Sequence, residues 1–202
     1  MVPTRDDAKD ILCWGASQNP GPWVDHSKNV ARAAETIAKQ CGMDPERAYV
    51  SGLLHDIGYY SYRDGVGEAC HIYVGYKLML SKGYDVVARV CMTHSFPVQD
   101  IRAYGGSDMG DEGAEIAGLL SSYVYDDYDK LVQLCDCLCA AQGICTMEKR
   151  MIGVAMRHGF GDFTVKRWEA FFALRDYFNK KCRVNVYTLF RNEIIDDVFR
   201  GD

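Results

Sequence analysis

The feature that most constrains this chain is a helical rhythm with a histidine on its buried side. Between residues 24 and 41, His26, Val30, Ala33, Ala34, Ile37, Ala38 and Cys41 recur at spacings of three and four. Such a spacing lines one face of a helix, and a face this apolar has to be covered by neighbours. The rest of the chain repeats the rhythm between clear stops. Thr4 with Asp7 predicts a capping box that opens a first helix, and Asn19-Pro20-Gly21-Pro22 ends it. Gly42 closes the second helix, and Asp44-Pro45 opens a third that is expected to run to about Ile57. Further helices are predicted at about 69–82, 85–95 with Asp85 as cap, 114–124, 127–142, 147–158, 164–181 and 186–198. Only 182–189 has a composition that suits a brief extended segment. The expectation is an all-α bundle forming a single helical domain over 1–202, with a core at about 24–142 and a helical extension at about 145–202.

Charge narrows the partners. The net charge is −5, with the excess of acid in residues 1–144 and an excess of base from Cys145 onward, where 11 Lys/Arg face 8 Asp/Glu. That is no footprint for long nucleic acid, which calls for a basic stripe and a high pI. No run approaches the roughly 20 apolar residues that span a bilayer, so no membrane partner is expected. The N-terminal residues lack the apolar stretch of a signal peptide, and the cysteine count is odd at nine. Both point to reduced thiols and a cytoplasmic location. Cys135, Cys137 and Cys139 alternate inside an expected helix rather than following the C-x2-C spacing of zinc sites. They read as small buried hydrophobes. The aromatic stripe Trp168, Phe171, Phe172, Tyr177 and Phe178 reads as helix packing.

Five histidines are few enough for their placement to matter. His26 lies on the apolar face just described. His55 and Asp56 are adjacent behind Gly-Leu-Leu, His71 falls in the fourth predicted helix and His94 ends the fifth. Only His158 sits near a polar helix end. Asp56 and Asp136 both fall in apolar stretches, where an unpaired carboxylate is costly, and a metal ion supplies the cation each needs. Imidazole with carboxylate suits divalent Fe, Mn, Co, Ni or Zn. A helix bundle can project such ligands inward from several helices.

The order His26 … His55-Asp56 … Asp136, with the segments HSKNVARAAETIAKQ and AYVSGLLHDIGYY, resembles the HD superfamily of metal-dependent phosphohydrolases over about 24–142. The resemblance implies that His26, His55, Asp56 and Asp136 hold one metal. His71 and His94 are similar to the extra histidines of the dinuclear subgroup, which includes cyclic-dinucleotide phosphodiesterases, dinucleoside-tetraphosphate hydrolases and a few diiron oxygenases. By that likeness Asp56 bridges to a second metal held by His71 and His94. The implied reaction is hydrolysis of a small phosphorylated substrate, such as a nucleotide, by metal-activated water, with Asp56 or Asp136 orienting the nucleophile.

One departure concerns the substrate. Many members carry a lysine or arginine soon after the doublet, where this chain has Tyr59 and Tyr60. Arg63, Lys28 and Arg102 are the candidates to replace it. The segment Phe96–Gly113 predicts a long loop, and its position after His94 makes it a candidate for shaping substrate choice. The C-terminal third is expected to cap the pocket or to form a homo-oligomer interface. Two other readings share the ligand set: a diiron oxygenase, and a regulatory nucleotide-binding domain without turnover.

Overall fold

The computed structural model describes residues 1–61, 70–104 and 110–199. Among them it is helical, with one two-stranded exception. The helices are α1 (Arg5–Gln18), α2 (Pro22–Gln40), α3 (Pro45–Leu54), α4 (His71–Ser81) and α5 (Asp85–Thr93). They continue as α6 (Gly110–Ser122), α7 (Asp127–Leu138), α8 (Met147–His158), α9 (Thr164–Cys182) and α10 (Arg191–Phe199). Single 3-10 turns cover Ile57–Ser61, Ile101–Tyr104 and Val186–Phe190.

The stops read from the sequence operate locally. Thr4 and Asp7 form the reciprocal capping box of α1. The Asp44 carboxylate accepts from the backbone of Glu46 and Arg47 at the start of α3. Gly42 and Gly83 adopt φ of 72° and 79° at helix ends, a conformation that costs a residue with a Cβ.

Five expectations are corrected. α3 stops at Leu54, and the chain tightens into a 3-10 turn, so His55 and Asp56 lie past the helix end. Asp85 is not the cap of α5: Tyr84 holds that position without a side-chain bond, and Asp85 instead pairs with the amino group of Met1. The region 127–142 is not one helix. α7 ends at Leu138, and β1 (Cys139–Ala140) pairs antiparallel with β2 (Gly143–Ile144), while 182–189 carries no strand. Strands of two residues have no period for a sequence pattern to display. The predicted loop at Phe96–Gly113 is shortened at both sides, by the turn Ile101–Tyr104 and by an α6 that begins at Gly110.

Burial joins distant parts of the chain. One apolar cluster packs Ala34, Ile37 and Ala38 of α2 and Leu134 and Cys135 of α7 against Phe171, Phe178 and Cys182 of α9. A second joins α1, α3 and α5 through Leu12, Leu53, Leu54, Val87 and Cys91, and a third gathers Ile72, Met92, Phe96, Ile116 and Leu120. Val90, Cys91 and Met92 are successive residues of α5, yet each enters a different cluster. The end of α5 therefore lies where the three meet, and His94 is the residue that caps it. Cys135, Cys137 and Cys139 are all buried and free, and Phe171 and Phe178 of the aromatic stripe are core.

Candidate metal centre

Five helix ends bring the ligand candidates together. His26 is in the second turn of α2, and His55 and Asp56 follow the last residue of α3. His71 opens α4, His94 follows α5, and Asp136 lies in the last turn of α7. Close backbone approach makes this convergence possible. A Cβ at Gly52 would come within 2.9 Å of the Ala31 Cα, so α3 can lie on α2 only with glycine there. A Cβ at Gly58 would fall 1.8 Å from the backbone oxygen of His71. Glycine at 58 is thus what lets α4 begin against the turn that follows Asp56.

The centre of the arrangement is the Asp56 carboxylate, whose two oxygens face different histidines. Oδ2 lies 3.4 Å from His55 Nε2 and 3.8 Å from His26 Nε2. Oδ1 lies 3.3 Å from His71 Nε2 and 3.2 Å from His94 Nε2. On the first side Asp136 Oδ1 stands 3.0 Å from His26 Nε2. Two groups of three donors result, His26/His55/Asp56 and Asp56/His71/His94, each with its ligand atoms within 4.8 Å of one another.

These donors fit a metal ion. Nitrogen and oxygen ligands bound at about 2.1 Å stand about 3.0 Å apart on an octahedral edge and about 3.4 Å on a tetrahedral one. The spacings around Asp56 and Asp136 fall mostly in that range. The Nε2 atoms of His26 and His55 are also buried without a hydrogen bond, although carboxylate oxygens stand close by. Nitrogens and oxygens that crowd together without bonding one another share a missing electrophile, and a buried polar atom left unpaired is costly.

The rings are pre-set for this. His55 Nδ1 donates to Gly52 O at 2.7 Å, and His94 Nδ1 donates to Cys91 O at 2.9 Å. A carbonyl can only accept, so both Nδ1 atoms carry hydrogen and Nε2 is the atom each ring turns toward a metal. The same device is used twice: a histidine just past a helix end returns its ring N–H to a carbonyl three residues back, one the helix leaves unused. His71 Nδ1 lies 2.9 Å from the Tyr104 hydroxyl, and its ring stacks on Tyr59 with centroids 4.2 Å apart. α7 fixes α5 as well as carrying Asp136. Asp129 accepts from Arg89 and from Thr93 Oγ1, and Gln133 Nε2 donates to Thr93 O, one residue before His94.

Electrostatics agree with the geometry. Burial pushes the Asp56 carboxyl up, but His55, His71 and His94 outweigh burial and hold it well below the usual carboxylate range. Burial acts likewise on Asp136, and His26, Arg150 and His55 overcome it, so this group too stays ionised. Burial pulls the His55 imidazolium down, yet Asp56 and Asp136 raise it to about 9. Burial dominates at His71 and lowers it.

A family model for the HD domain matches residues 23–141, more than half of the chain. The chain belongs to the HD domain family. Membership places it in a superfamily of metal-dependent phosphohydrolases, and the matched segment contains all six of the donors described. No curated protein and no solved structure matches the chain.

The basic candidates are dispersed. Lys28 pairs with Asp25 on the exposed side of α2, and Arg102 pairs with Asp100, its guanidinium also lying over Phe163. Arg63 lies outside the described residues. His158 is exposed at the end of α8 and belongs to neither donor group. Two residues that the sequence did not single out stand at the site instead. Arg150 Nη2 is 3.7 Å from Asp136 Oδ1, and the half-buried Arg167 feels the charge of Asp136. Their only signal in the sequence was the positive balance after Cys145. Among the described residues no helix is long and apolar enough to cross a membrane.

Proposed function

We propose that the chain hydrolyses a small phosphorylated compound, a nucleotide or related phosphoester, at a dinuclear centre. One divalent transition metal (Fe, Mn, Co, Ni or Zn) is held by His26, His55, Asp56 and Asp136, and a second by Asp56, His71 and His94. The observation that carries this reading is the division of four imidazoles between the two oxygens of one carboxylate, two to each. A buried aspartate that served only as an ion-pair partner would have no need of two separate donor sets.

When bound, such ions make water acidic enough to attack at neutral pH and offset charge building on the phosphoryl oxygens. The chain's own groups supply position. His55 and His94 keep their Nε2 atoms aimed inward through their backbone hydrogen bonds. Tyr59 and Tyr104 wall the His71 side. Asp136, ionised and with the most exposed side chain of the six, orients the attacking water. The water oxygen forms a bond to phosphorus as the ester P–O bond breaks, and the leaving group departs with a proton. The nine free cysteines support a reducing, cytoplasmic setting for this reaction.

The test is a panel of phosphomonoesters, phosphodiesters and nucleotides offered to protein reconstituted with each candidate metal. Phosphate release by the wild type and none by Asp56→Asn is the expected result. No release with any metal, in protein shown to be metal-replete, contradicts the reading. Dioxygen consumption by the iron form without phosphate release replaces it with the oxygenase.

A further inference from the structure

The six ligand candidates are buried unequally, and the inequality gives the centre a direction. The His55 and His94 side chains are 0% and 1% exposed, and those of His26, Asp56 and His71 lie between 8% and 10%. Asp136 is 21% exposed, so the centre opens on its side. Arg150 stands there, Arg167 lies near enough for the Asp136 charge to act on it, and neither belongs to the family-matched segment. Arg150 comes from α8 and Arg167 from α9.

Both arginines lack a settled partner. The Nε atoms of Arg150 and Arg167 are buried without a hydrogen bond. Arg150 reaches Asp136 only at 3.7 Å, beyond hydrogen-bond length, and among the described residues Arg167 makes no ion pair. Burial opposes the charge on Arg167, and the carboxylate that most offsets it is Asp136 of the centre. Arg102 lies over Phe163, the residue that precedes α9, and Tyr104 touches His71 on the other side of the centre. A guanidinium does not lose its proton in a protein. Two of them half-buried around one carboxylate, itself committed to a metal, call for a further anion.

We infer that Arg150 and Arg167 form the anion subsite of the metal centre and grip a terminal, doubly charged phosphoryl group. The inference rests on the proposed phosphohydrolase reading. With two divalent ions bound, the ions and both guanidiniums outweigh the two carboxylates by about four charges. A phosphomonoester dianion answers that excess better than a phosphodiester monoanion. The planar guanidinium fork also matches two phosphoryl oxygens at once. Arg150 and Arg167 thus replace the basic residue that the segment after the His55-Asp56 doublet lacks. Lys28 and Arg102 already have carboxylate partners at 2.9 Å and 2.5 Å.

Metal-reconstituted full-length protein is titrated with inorganic phosphate by calorimetry. Kinetics on a nitrophenyl phosphomonoester and the corresponding bis-nitrophenyl diester run in parallel. Wild type, Arg167→Gln, Arg167→Lys and Arg150→Lys are compared, with metal content measured on each. Arg167→Gln is expected to weaken phosphate about ten- to a hundredfold at unchanged metal content. Its monoester KM rises more than its diester KM. Arg167→Lys, which keeps the charge and loses the fork, falls between Arg167→Gln and the wild type and decides the matter if Arg167→Gln does not fold. Phosphate affinity unchanged in both lysine variants overturns the subsite even where phosphoester turnover is found. Phosphate binding that these variants lose, in a wild type that hydrolyses no phosphoester, keeps the subsite and sinks the phosphohydrolase reading.

Discussion

The first 144 residues and the last 58 contribute to the same site in opposite currencies. The larger part carries every ligand candidate and the acidic excess, whereas the smaller part carries none of the ligands and an excess of base. The two are not loosely appended, since Phe171, Phe178 and Cys182 of α9 pack in one cluster with α2 and α7. The larger part encodes its chemistry in side chains close to helix ends, where a shift of one residue removes a ligand. The smaller part offers two long cations, Arg150 and Arg167, each from the first turn of its helix, and tertiary packing decides whether they arrive. If the two proposals hold, metal affinity and anion affinity belong to different stretches of sequence, and mutation separates them.

The largest effect is expected from Asp56→Asn. It removes the charge shared by both donor groups, so metal content should fall toward zero and activity by more than about a thousandfold. Elemental analysis beside the phosphoester assay checks both, and retention of metal in this variant contradicts a bridging role. Gly58→Ala is expected next. The added methyl meets the His71 backbone oxygen, so α4 has to retreat. The second donor group should open while His26, His55 and Asp136 keep theirs, giving a loss of about one ion per chain in the same analysis. An unaltered metal count in a folded Gly58→Ala protein breaks the claim that this close approach positions His71.

Tyr104→Phe should act more gently. It removes the hydroxyl beside His71 Nδ1 and leaves the ring, and the loss of such an outer contact weakens metal binding by about ten- to a hundredfold. Competition with a chelator measures it, and the first metal serves as the internal control. The change per step is smallest in the pH response, at no more than about tenfold for each pH unit. His55 is raised to about 9 by Asp56 and Asp136 despite its burial, so metal-free protein holds a proton there at neutral pH that metal must displace. Metal affinity should fall as pH drops below about 9, by up to about tenfold per unit. Stability of the metal-free protein responds in the other sense. The His55 contribution is complete below the ordinary histidine pKa and fades as pH rises toward about 9. Chelator competition at several pH values and thermal melts of the apo protein read the two slopes. A flat metal affinity between pH 6 and 9 contradicts the assignment.

Much of the centre was legible in the sequence because its residues obey local rules. His26 sits in a helical face whose spacing is visible, and the GLLHD segment places an acid behind an apolar run. His71, His94 and Asp136 follow in the order that the resemblance required. Helix caps at Thr4 and Asp44 were read from side chains that bond their own neighbours. What escaped lacks a local cause. α3 ends early because the chain tightens around Gly58 under α4, which no pattern within α3 displays. The β1–β2 hairpin is too short to show alternation. Arg150 and Arg167 lie far along the chain from the doublet, and a basic residue on a helix has the same sequence appearance whether it faces water or a phosphate. Lys28 and Arg102 illustrate the converse, since each is satisfied by an aspartate two or three residues away.

The central claim is that Asp56 joins two separate donor groups. Elemental analysis of the wild type and of the His71→Ala, His94→Ala double variant, both purified and reconstituted in parallel, tests it most directly. The account predicts about two transition-metal ions per chain in the wild type and about one in the double variant. An equal count in the two proteins, whether one or two, would contradict it.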